Sequence, residues 1–286
     1  MTARQTCLAA LAALACLLSA CGEARDPSEI EWSLAQSSFE SGSYDNVIDR
    51  LERIEKNPQW AERAAGWRVV LLGGMTQAYL ELNQACEDGV QESNGRPSRE
   101  LRSALDQYRK DARRYSIALA EAIQDFDKLT GDVENISLDF AFPGGDAAPS
   151  PLVARISTGM MPTDQGLKSS EQHTIRRGVL MQATRAVGAG DKIETAQKMF
   201  DFAPVSTPKA VYLLGVGRTV HEAAALYGVK RLRDHNLQDL FLDLAEKCVR
   251  PSLDSKNLGL QSEAQQIMRS IEESRAAMED RESYEE

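Results

Sequence analysis

Residues 98 to 130 hold the pattern that most constrains the fold: Leu101, Leu105, Tyr108, Ala112, Tyr115, Leu119, Ala122 and Phe126 recur at alternating spacings of four and three. An α-helix turns once in about 3.6 residues, so this spacing lines the eight side chains along one face that another helix must cover. Ser98, with Glu100 close behind, supplies a start, and Gly131 a stop.

The same period runs through most of the chain. A second long helix is expected from Trp60 to about Cys86, with Ala64, Trp67, Leu71, Met75, Ala78 and Leu82 on one side. Glu87 to Pro97, rich in Gly, Asn, Ser and charge, reads as the loop between the two. Farther on, Ile175, Val179, Leu180, Ala183 and Val187 mark a helix over 172–187, and Gly188 to Asp191 a turn. Ile193, Ala196, Met199 and Phe200 then face back. Ala210 to Gly228 and Asn236 to Val249 make another pair, Leu258 to Ala277 closes the series, and Met278 to Glu286 reads as an acidic, frayed tail. The expected class is all-α, built from antiparallel helical hairpins.

Residues 31–58, EWSLAQSSFESGSYDNVIDRLERIEKNP, resemble one tetratricopeptide unit. Leu34 and Ala35 fall where that family has a Leu-Gly or Leu-Ala pair, Phe39 at an aromatic position, and Gly42 and Tyr44 at the turn. Val47, Ile48, Leu51 and Ile54 lie on the second helix, and Pro58 is one residue from its expected site. The aromatic near the start is offset to Trp32, Val47 replaces a small residue, and the next helix is too long for a period of about 34 residues. The resemblance implies an α-solenoid-like array that binds a peptide or partner protein on its concave face. Trp32, Tyr44, Trp67 and Tyr79 are the candidates for the wall of that groove, with burial in the core as the alternative for each.

Residues 132–166 break the helical pattern. They hold Pro143, Gly144, Gly145, Pro149, Pro151 and Pro162, preceded by the alternation Ile136, Leu138, Phe140, Phe142. A strand here needs a partner that the rest of the chain does not announce. The segment therefore reads as a long ordered loop across the helices, or a linker between an N-terminal helical half (31–131) and a C-terminal one (167–277). Long loops are uncommon without a reason, so it is a functional candidate, with a tolerated insertion as the alternative.

The N-terminus addresses the chain. Met1 to Arg4 carries one positive side chain, and Cys7 to Leu18 is an apolar run shorter than the roughly 20 residues that span a bilayer. Leu18-Ser19-Ala20-Cys21 follows directly and resembles the lipobox of bacterial lipoproteins. The resemblance implies removal of residues 1–20, acylation of Cys21 and a tether over 21–30. An ordinary secretory peptide is the alternative, and export is common to both. Gly22 stands where that family's inner-membrane retention signal has Asp, which favours the outer membrane and a periplasmic domain.

Charge and chemistry narrow the function classes. The chain has 43 acidic and 33 basic residues and a formal charge of −10, which becomes −11 on loss of Arg4 with the signal. Such a chain is a poor match for nucleic acid, whose affinity rests on phosphate neutralisation. Cys86 and Cys248 are the cysteines left for the folded body, either bridged in an oxidising compartment or buried as separate thiols. His173, His221 and His235 lie on different expected helices, and His221-Glu222 is the one His beside an acid. No cysteine or histidine spacing points to a metal, and no cofactor motif stands out. Gly215-Val216-Gly217 reads as a tight helix contact and Ser206-Thr207-Pro208 as a helix start. The leading expectation is a membrane-tethered, non-enzymatic interaction module for an envelope protein or peptide. The alternatives are a small-ligand binder or accessory subunit of a solute transporter and, more weakly, an enzyme built on His221 and Glu222.

Overall fold

Helices form where a start signal precedes the helical period. The structure, a computed structural model, describes residues 26–93, 96–201, 204–228 and 233–285, with side chains as far as 279. The signal segment and Cys21 lie outside the described residues. Within them are ten α-helices and two short strands, an all-α fold.

Helix α1 (Pro27–Glu40) starts inside the stretch read as tether, because Asp26 accepts the Ser28 N–H and Pro27 is already set for a first turn. Gly42 (φ 76°) reverses the chain into α2 (Tyr44–Ile54). Helix α3 (Ala61–Glu92) continues past Cys86 through six residues read as loop, and α4 (Arg99–Thr130) returns beside it. Ion pairs Arg109–Glu87 and Arg68–Glu55/Asp125 tie α3 to its neighbours, and their order along the chain makes the α3/α4 pair antiparallel. Ser98 caps α4 through the Leu101 N–H, and all eight residues of its expected stripe are buried.

The segment after α4 corrects the sequence reading. Asn135–Leu138 is a strand, β1, and it has a partner after all: β2, Val205–Pro208, pairs with it antiparallel. Between them lie α5 (Pro151–Ser157), α6 (Asp164–Ala186) and α7 (Ile193–Phe200). Ile136 stands opposite Thr207 and Leu138 opposite Val205, and all four are buried on the same side. The helix start expected at Ser206-Thr207-Pro208 is therefore mostly strand, with Pro208 leading into α8 (Lys209–Tyr227). The alternation from Ile136 is legible, but four-residue β2 announces no strand, so the pairing is visible only in space. Asp234 caps α9 (His235–Val249), and α10 (Leu258–Glu285) runs through the residues read as a frayed tail.

The hairpins gather around α3. Its expected face is buried, and so are Val69, Val70, Leu72 and Leu80 on other faces, the mark of a helix covered over most of its circumference. It touches α2, α4, α5, α6 and α8. One continuous cluster of buried side chains runs from Trp32 on α1 to Ile271 on α10 and joins the two halves. Phe140, just beyond β1, lies among Trp32, Phe39 and Trp67, with ring centroids 4.8, 5.1 and 4.9 Å away. Ile136, Leu138, Phe140, Val153 and Ile156 thus carry the 132–166 segment into the core.

Candidate functional site

The aromatic candidates do not form a wall. Trp32, Tyr44, Trp67 and Tyr79 are all buried, at 6%, 4%, 0% and 6% exposure. Tyr79 stacks on Tyr115 at 4.9 Å and its hydroxyl donates to Glu171. All four belong to the cluster of buried side chains, which is core packing and not a binding surface. Cys86 and Cys248 are free thiols, each buried, so no bridge joins them. Burial pushes both thiols up to about 12.

His221 and Glu222 do not act as a pair. The Glu222 carboxylate accepts from Arg185 (2.6 Å), Gln77 (2.8 Å) and Arg218 (3.3 Å), while His221 Nε2 is buried without a hydrogen-bond partner. Burial lowers the His221 pKa against the pull of Glu222. Among the described residues no group of three or more His, Cys, Asp or Glu side chains is placed to hold a metal ion. No described helix is long and apolar enough to cross a membrane.

The structure instead opens a groove between the halves, and glycines set its ends. A Cβ on Gly74 of α3 would lie 2.5 Å from the Val179 Cα of α6, and one on Gly178 would lie 2.1 Å from the Gly74 carbonyl oxygen. About four turns farther along α3, a Cβ on Gly89 would lie 2.2 Å from the Ile156 carbonyl oxygen of α5. At both places backbones meet at distances that a side chain forbids. Between them lies a groove of about 480 Å³, with Gln77, Ala78, Leu80, Glu81, Gln84, Ala85 and Asp88 along α3. Val153, Ala154 and Ser157 come from α5, Arg177, Met181 and Arg185 from α6, and Glu222, Ala223 and Leu226 from α8.

Its charges are locked in place. Arg177 pairs with Glu81 at 2.6 Å and donates from Nε to the Ala147 carbonyl, which ties the 132–166 segment to the groove. Arg185, 8% exposed, donates to Glu222, Asp191 and Thr219. Burial works to raise the Asp191 carboxyl, but Arg185 and Arg218 hold it below the usual carboxylate range. The result is a mixed polar and apolar surface whose guanidinium and carboxylate groups are held by one another.

The sequence reading passed over these residues, although a signal was present. Gly73-Gly74, Gly89 and Gly178 sit inside helices, where each costs about 1 kcal/mol relative to Ala and so reports a close approach. Gln77, Glu81, Gln84 and Asp88 repeat at four, three and four, a polar stripe along one face of α3. Comparison with known proteins gives no match to a family model, to a curated protein or to a solved structure.

Proposed function

We propose that this chain is an exported lipoprotein, held through acylated Cys21 at a membrane, the outer one where the cell has two, and facing the periplasm. Its body works as a non-enzymatic interaction module that seats a polypeptide segment of an envelope partner in the groove between α3, α5, α6 and α8. The observation that carries this reading is the groove itself, framed by the Gly74 and Gly89 contacts and lined by side chains already paired. Ala154 stands exposed on its α5 side and leaves that rim open to a long ligand. The anchor rests on Leu18-Ser19-Ala20-Cys21 and the apolar run before it.

The test is recovery of partners from detergent-solubilised membranes with the parent, Cys21→Ala and Ala154→Trp, the last filling the groove from its exposed rim. A specific envelope protein is expected with the parent and lost with Ala154→Trp at unchanged Tm. Equal recovery with both rules out the groove. Incorporation of labelled fatty acid into Cys21→Ala at the parent's level rules out the anchor. A second reading, a small-solute binder, is favoured by the groove's volume, which lies within the roughly 300–1,000 Å³ of small-molecule sites. It predicts a thermal shift with small solutes that Ala154→Trp abolishes.

A further inference from the structure

The hydrogen-bonding groups left over in the groove define what can fill it. Gln77 Nε2 donates to Glu222 at 2.8 Å, and Gln84 Nε2 donates to Asp88 at 2.8 Å. A carboxylate accepts only, so each amide must present its NH₂ to the acid and turn its carbonyl oxygen away. Neither carbonyl oxygen accepts a hydrogen bond from any described residue. Between the two glutamines, Glu81 gives Arg177 one carboxylate oxygen, Oε2. At about 1.5 Å rise per residue, positions 77, 81 and 84 set acceptors about 6 and 4.5 Å apart along α3.

Among the described lining residues, the cations do not offset this. Arg177 faces Glu81 and Arg185 faces Glu222, so both guanidinium charges are neutralised in place. Beside these paired charges, α5, α6 and α8 bring apolar side chains to the lining in Val153, Met181 and Leu226. The whole chain, at −10, adds a field that attracts positive charge. From residue 77 to 88 the groove follows about 16 Å of helix, the span of about five residues of extended chain.

Building on the groove reading above, we infer that the segment it accepts is a basic, amphipathic stretch of extended polypeptide. Backbone and lysine or arginine N–H groups meet Gln77, Glu81 and Gln84, and alternate apolar side chains meet Val153, Met181 and Leu226. An acidic segment would set carboxylates against carbonyl and carboxylate oxygens and is rejected.

Fluorescence anisotropy of three labelled pentapeptides, Lys-Leu-Lys-Leu-Lys, Ser-Leu-Ser-Leu-Ser and Glu-Leu-Glu-Leu-Glu, titrated with the full-length protein tests this. The lysine peptide is expected to bind at least about tenfold tighter than the glutamate peptide, a difference of about 1.4 kcal/mol. Gln84→Leu and Ala154→Trp, each checked for an unchanged Tm, are expected to reduce that binding several-fold or more. Equal binding of the three peptides, all lost in Ala154→Trp, overturns the basic preference and leaves the groove standing. Binding of the lysine peptide that Ala154→Trp does not weaken places it elsewhere on the acidic surface and overturns the inference. No binding of any peptide overturns the inference and counts against the groove as a polypeptide site.

Discussion

Gly178 faces the backbone of Gly74 so closely that a Cβ on Gly178 would lie 2.1 Å from the Gly74 carbonyl oxygen. In an isolated helix, replacing either glycine by alanine would add about 1 kcal/mol of stability. Here the overpacking of two backbones reverses the sign, and Gly74→Ala and Gly178→Ala are each expected to cost about 1–3 kcal/mol net. Urea unfolding checks this, with Gly144→Ala, whose added Cβ would meet nothing within 4 Å, as the reference. A Gly178→Ala midpoint at or above that of the parent would remove the basis for a glycine-set groove.

Phe140 should behave as a core residue although it lies in an irregular segment. Its ring stacks on Trp67 at 18° and is 1% exposed. Phe140→Ala is expected to lose about 3–5 kcal/mol and to shift the fluorescence of Trp32 and Trp67. A loss under about 1 kcal/mol would return 132–166 to the status of a tolerated insertion.

Acid should expose His221. Burial holds its folded pKa below the unfolded value of about 6.5, so the unfolded chain takes up the proton first as pH falls. Stability from keeping this imidazole neutral is fully present above about pH 6.5 and is lost as pH drops through and below that value. Between pH 8 and pH 5 the Tm of the parent should fall more than that of His221→Gln. Parallel curves for the two proteins would contradict the assignment.

The two buried thiols should be silent. With each pushed up to about 12, Cys86 and Cys248 carry almost no thiolate near neutral pH. Maleimide is expected to label them only after unfolding, as read by peptide mass spectrometry, and dithiothreitol should leave the Tm unchanged. A Tm that falls in reductant would mean a disulfide.

Much of this was legible in residue order. The stripe from Leu101 to Phe126 is buried along its whole length, Ser98 caps α4, and Gly131 ends it, since capping and amphipathic period act within a few turns of helix. Trp32, Tyr44, Trp67 and Tyr79 show where such reading stops. Their large rings call for cover, and residue order does not say whether that is the protein itself or a partner. The groove was harder still. Its polar stripe on α3 is local, but its far wall comes from α5, α6 and α8, and a sequence carries no distance between Gln84 and Met181.

Leu34 and Met199, expected on packed faces, are exposed, but by itself the sequence determined the class of the fold, most helices and the buried faces of α3 and α4. Those depend on the 3.6-residue repeat and on caps a few residues away. The tertiary structure alone decided that β1 and β2 pair, that five other helices pack around α3 and leave its Gln77–Asp88 stripe on a groove, and that Gly74 meets Gly178 while Gly89 meets Ile156. Each of these joins residues far apart in the chain, through close backbone contact or a short strand ladder. Such contacts form when chain segments are brought together in space, and a local period cannot encode which segments those are.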